Sequence, residues 1–93
     1  MTATELSALF EKLMLQATTW KQLPGVEEHP EASAFDCEIE GWRFLVMGAP
    51  PEPSGAQAIG GTATNLKAPA FYNMPLDVAA KGWKRAREVL KLA

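Results

Sequence analysis

Residues 35–47 have the sequence FDCEIEGWRFLVM, which carries the strongest local structural signal in the chain. Its first half alternates apolar and acidic side chains, which is the period of a strand with one buried face. Its second half is again apolar at every other position, and Glu40-Gly41 separates the two. We predict an antiparallel hairpin with a two-residue turn, in which Phe35 faces Val46. Glutamate is an unusual first residue for such a turn, so a longer loop is the alternative.

This pairing gives the hairpin an apolar face and a charged face. The apolar face holds Phe35, Cys37, Ile39, Trp42, Phe44 and Val46. The charged face holds Asp36, Glu38, Arg43, Leu45 and Met47. Apolar side chains rimmed by charge are typical of a protein contact, so we expect these five residues to bind a partner protein. In the alternative, a helix on each face or the long loop covers Leu45 and Met47.

Helical periodicity predicts one helix before the hairpin and one after it. The first spans about residues 3–20 and follows Thr2-Ala3-Thr4-Glu5, which has capping-box spacing. The second begins after Asn73 as N-cap and runs to the chain end. Its apolar arc is Leu76, Ala79, Trp83, Ala86, Val89, Leu90 and Ala93.

The predicted fold is therefore a single small α+β domain over residues 1–93. It consists of an N-terminal helix, an antiparallel β-hairpin and a C-terminal helix packed on a small sheet, because a lone hairpin is marginally stable. Residues 62–66 carry a weaker signal for a short third strand. The expected shared core comprises Phe10, Leu13, Phe35, Ile39, Phe44, Trp83 and Leu90.

The segment 48–61 holds four glycines and three prolines, which predicts a long loop. Within it, Gly55 to Thr62 has the spacing of a phosphate-binding loop, but Gly61 stands where the essential lysine belongs. We therefore expect no nucleotide there and no cofactor. Binding of another small molecule by this Gly-rich loop is a weaker functional hypothesis.

The charge pattern supplies a second functional hypothesis. Nine Lys and Arg against eleven Asp and Glu give a net charge of −2, unlike a dedicated nucleic-acid coat protein. The last helix, however, carries a row of cations, which could contact nucleic acid or an acidic partner. These cations are Lys81, Lys84, Arg85, Arg87 and Lys91. The simpler interpretation is that cations favour a helix C-terminus.

Catalysis and metal binding find little support in the sequence. His29 and Cys37 are the only residues of their types, too few for a zinc site or a disulfide. No serine lies in a nucleophile motif. No signal peptide or membrane segment is apparent, so we expect a cytoplasmic protein.

From these observations we expect a non-enzymatic interaction protein, such as an inhibitor, an immunity-type protein or an adaptor. Its partner is another protein, bound through the charged hairpin face, or a second copy in a homodimer. Nucleic acid is the less favoured partner, and no membrane partner is expected.

Overall fold

The computed structural model describes residues 2–24, 32–50, 52–55, 57–68 and 70–92. Two helices flank five strands in the chain. The elements are α1 (Ala3–Gln16), β1 (Lys21–Leu23), β2 (Ser33–Ile39), β3 (Trp42–Gly48), β4 (Ile59–Asn65), β5 (Ala70–Asn73) and α2 (Leu76–Val89). The strands form one sheet in the order β1-β2-β3-β4-β5, and every neighbouring pair is antiparallel. The predicted α+β class is confirmed, with a sheet larger than the predicted hairpin.

The β2–β3 hairpin has the register that the sequence predicts. Phe35 faces Val46, and Ile39 faces Trp42. The turn contains two residues, and both have positive φ, 49° at Glu40 and 81° at Gly41. Positive φ at both positions is the signature of a type I′ turn, so the longer-loop alternative is wrong.

Both helices pack on the face of the sheet that carries Phe35, Phe44 and Val46. The buried cluster is Phe10, Leu13, Met14, Ala17, Trp20, Phe35, Cys37, Phe44, Val46, Ala63, Met74, Val78, Ala79, Trp83 and Ala86. Ile39 and Leu90 are half-buried at its margin. The predicted core is therefore confirmed for Phe10, Leu13, Phe35, Phe44 and Trp83, whereas Ile39 and Leu90 only pack against it.

The two helices approach each other closely at Gly82. A Cβ atom on this residue would clash with Met14 Sδ and would lie 3.2 Å from Val46 Cγ1. Glycine lowers helix propensity, but here it allows α2 to contact both α1 and β3. Gly82 thus interrupts the helical pattern because the close packing of α2 leaves no room for a side chain there.

The first helix is shorter than predicted. The Thr2–Glu5 capping box is present, but α1 ends at Gln16, where Ala17 turns to extended backbone with ψ of 136°. Trp20 is buried as the apolar spacing suggested, yet an extended segment brings it to the core. The chain then forms β1, a three-residue strand that was not predicted.

The start of the second helix also differs from the prediction. Asn73 is the last residue of β5, and the N-cap is Pro75, which makes no side-chain capping bond. Leu76 is exposed, and Val78 occupies the buried position instead. The predicted apolar arc is therefore rotated relative to the true one at this end.

The second helix also stops before the predicted chain end. It ends at Val89, and Lys91 beyond it has a φ of 57°. A positive φ at a non-glycine residue is incompatible with a continuing right-handed helix. The last residue of the predicted arc, Ala93, lies outside the described residues.

The predicted loop 48–61 is shortened at both ends. Gly48 closes β3, and β4 begins at Ile59, so residues 49–58 connect the two strands. The weakly predicted third strand spans residues 59–65 instead of 62–66, and β5 was not predicted. Small side chains in β4 gave a weak strand pattern. One of them, Gly61, leaves room for Ala79 of α2, whose Cβ would lie 3.1 Å from an added methyl group.

Candidate protein-binding face

Neither helix packs on the second face of the sheet, which we call the open face. Strand alternation assigns the side chains to it. Its outward residues on the three longest strands are Ala34, Asp36, Glu38, Arg43, Leu45, Met47, Gly60, Thr62 and Thr64. The edge strands add Lys21 and Leu23 from β1 and Phe71 and Asn73 from β5.

All five residues predicted to bind a partner lie on the open face. Arg43 Nη2 donates a hydrogen bond to Asp36 Oδ2 at 2.9 Å, and this ion pair crosses from β3 to β2. Glu38 is exposed and directly faces Arg43 in the ladder. Leu45 is half-buried, whereas Met47 is 45% exposed. The structure thus brings together two apolar side chains and a charged rim.

The open face is balanced in charge. Asp36 faces Lys21 on β1 and is bonded to Arg43 on β3, so one carboxylate lies between two cations. Glu38 supplies the second acid of this region. Two cations and two carboxylates give this region no net charge, so it has no net electrostatic attraction for a polyanion.

Sequence reasoning missed part of the apolar surface. Phe71, at the opposite corner of the open face from Leu23, is 65% exposed and faces Thr64 in the ladder. Leu23 is half-buried beside Ala34. Both residues lie on strands that were not predicted. Two consecutive aromatic residues, Phe71 and Tyr72, between prolines were the available signal for β5.

The row of cations on α2 is divided by local contacts. Lys81 Nζ donates to Glu11 Oε1 of α1 at 2.6 Å, and this hydrogen bond raises the pKa of Lys81. The Arg87 guanidinium lies 4.9 Å from the centroid of the Trp83 ring. Such contacts leave these two cations less available to phosphate groups.

The remaining cations of that row have different environments. Lys84 is exposed, and Arg85 is half-buried, with no hydrogen-bond partner for its Nε among the described residues. Lys91 lies beyond the end of α2. The five cations therefore do not form one unobstructed stripe along the helix.

The Gly-rich segment does not have the geometry of a phosphate-binding loop. Gly60, Gly61 and Thr62 are paired with β3 as part of β4. Two hydrogen bonds join the ends of the remaining loop. Ala49 N donates to Ala58 O at 3.0 Å, and Gln57 Nε2 donates to Ala49 O at 2.9 Å. A shallow cleft of about 360 Å³ lies between Gln57 and the Trp83 region of α2.

The thiol of Cys37 lies on the covered face. Burial, followed by the charges of Asp36 and Glu38, raises the pKa of Cys37 to about 12. Because the thiolate is the nucleophile, this thiol is poorly reactive at neutral pH. His29 lies outside the described residues. Within the described ranges, no three His, Cys, Asp or Glu side chains are grouped closely enough to hold a metal ion.

Neither described helix is long and apolar enough to cross a membrane. Comparison of the chain with protein-family models gives no match. Comparisons with curated proteins and with solved structures give none either.

Proposed function

We propose that this protein is a small non-enzymatic interaction module that binds another protein through the open face. The observation that carries the proposal is the position of Leu45 and Met47. They alternate with the buried Phe44 and Val46 on one strand, yet neither of the two described helices covers them. Apolar side chains that a fold leaves uncovered, within a polar rim, are typical of a contact surface.

The charges on the open face support a protein as the partner. The Asp36–Arg43 ion pair is partly exposed, so its contribution to stability is small. Charges at the rim of an interface act mainly on association rate and partner choice. Balanced charge also gives a polyanion such as nucleic acid no net attraction to this face.

The double substitution Leu45→Ser/Met47→Ser tests the proposal. The wild-type protein and the variant are each immobilised and exposed to an extract of the source cells, with and without nuclease. We expect the variant to have the same melting temperature as the wild type. It should fail to capture a protein that the immobilised wild type captures from the extract. The matched control is Leu15→Ser, because Leu15 on α1 is 47% exposed, close to the exposure of Met47.

Three outcomes would contradict the proposal. If the double variant unfolds, Leu45 and Met47 stabilise the fold and are not a contact surface. If Leu15→Ser loses the same partner, the contact is not specific to the open face. If binding disappears with nuclease and falls steeply with salt, the partner is nucleic acid.

A further inference from the structure

Among the described residues, no strand pairs with the outer edge of β5, and the direction of its backbone groups follows from the ladder. Met74 N donates to Gly61 O at 2.9 Å. Residues of an antiparallel pair alternate between bonded and non-bonded positions. The backbone groups of Tyr72 therefore point toward β4, while those of Phe71 and Asn73 point away from the sheet.

The opposite edge of the sheet is shorter and better protected. A two-residue hairpin places Ile39 and Trp42 in a bonded pair, and the same alternation then leaves Gln22 as the outward residue of β1. This strand also carries Lys21, and lysine on an edge strand discourages pairing with other chains. In contrast, β5 contains no charged residue.

The side chains of β5 also leave its edge accessible. Phe71 is 65% exposed on the open face. Tyr72 points to the covered face, where its ring centroid lies 6.0 Å from those of Phe10 and Trp42. Tyr72 thus fixes β5 to the core and leaves an exposed aromatic ring beside unpaired backbone groups. Edges of this type are templates for another strand.

We infer that β5 pairs antiparallel with β5 of a second copy of this chain, which joins two sheets into one. In a two-fold arrangement centred on Tyr72, Phe71 of each copy faces Asn73 of the other. In this register, every outward backbone N–H and C=O group of both β5 strands forms a hydrogen bond with the other copy. Because β5 has no charge, the second copy meets no like charge there. A longer strand from a different protein would form no additional backbone hydrogen bonds, because β5 offers only the outward groups of Phe71 and Asn73.

Sedimentation velocity over a range of concentrations tests the inference on the full chain. We expect a reversible monomer–dimer equilibrium in the wild type. Asn73→Pro removes an outward N–H without removing a bond to β4, and it should weaken the dimer by about tenfold or more. Asn73→Ala is the matched control, because it retains the N–H and should leave the dimer unchanged.

A charge substitution separates the edge from the open face. Phe71→Lys should weaken the dimer, since it removes the exposed ring from the joined edges and places two cations diagonally across the two-fold axis. Met47→Lys, two strands away, should leave the dimer intact while it impairs binding of the protein partner proposed above. A dimer lost in Met47→Lys but retained in Phe71→Lys and Asn73→Pro would overturn the edge inference, because it would associate through the open face.

Amide exchange in the wild type gives a readout that does not depend on any variant. The amides of Phe71 and Asn73 should become protected as the concentration rises, while the amide of Gln22 should not. A protein that remains monomeric at every concentration, with Phe71 and Asn73 exchanging rapidly, would refute the inference.

Discussion

The two faces of β3 differ in burial although both carry large apolar side chains. Phe44 and Val46 are fully buried, whereas their neighbours Leu45 and Met47 are half-buried and exposed. The cause is the position of α1 and α2, which both pack on one side of the sheet. Hydrophobicity alone therefore does not assign a residue to the core of a small domain. Apolar residues on the uncovered side contribute less to folding and are available for binding.

Two neighbouring glycines in β4 show the same contrast. A Cβ atom on Gly61 would lie 2.6 Å from Met74 Cε and 3.1 Å from Leu45 O. A Cβ atom on Gly60 would meet Met47 Cγ at 3.9 Å, an ordinary contact. The covered face thus requires glycine at one position, and the open face accepts a larger side chain at the next.

The largest effect is expected for truncation on the covered face. Phe44→Ala should lower the free energy of unfolding by about 3–5 kcal/mol, because it leaves a cavity in the core. Met47→Ala on the same strand should change it by less than about 0.5 kcal/mol. Urea denaturation of both variants measures the difference. Equal losses would mean that the open face is also part of the core.

The glycine pair provides the next largest effect. Gly61→Ala should destabilise the protein by about 1–3 kcal/mol, because the added methyl group displaces Met74 and α2. Gly60→Ala should be neutral or stabilise by up to about 1 kcal/mol, because it restricts the unfolded chain. The same denaturation experiment compares them. A loss at Gly60 as large as at Gly61 would contradict the assignment of the two faces.

A smaller effect is expected at Cys37, and only at alkaline pH. Its folded pKa of about 12 exceeds the value of 9.0 for an unperturbed thiol. The unfolded chain therefore loses the thiol proton first, and stability declines as the pH rises from about 9 toward 12. Urea midpoints at successive pH values should fall more steeply for the wild type than for Cys37→Ala. If the urea midpoints of the wild type and of Cys37→Ala fall equally with rising pH, the thiol is not buried as described.

The hairpin and core could be predicted from the sequence because their signals are local. The alternation in residues 35–47 fixed both the register and the faces of β2 and β3. The two short edge strands could not be predicted in this way. Lys21–Leu23 and Ala70–Asn73 are too short for a periodic pattern.

The candidate site was predictable only in part, for a related reason. Alternation placed Asp36, Glu38, Arg43, Leu45 and Met47 on one face, but it could not say which face the helices cover. The contribution of Phe71 depends on β5, whose place in the sheet is set by pairing with β4. The contact between Lys81 and Glu11 joins residues 70 positions apart, so local sequence spacing does not reveal it.

Position-resolved photo-crosslinking is the most direct test of the central claim that the open face binds a protein. A benzophenone side chain replaces Met47 in one variant and Leu15 in another, since these residues have similar exposure. We expect a discrete protein adduct from position 47 that disappears when Leu45→Ser is added, and no such adduct from position 15. Equal adducts from both positions, or none from position 47, would contradict it.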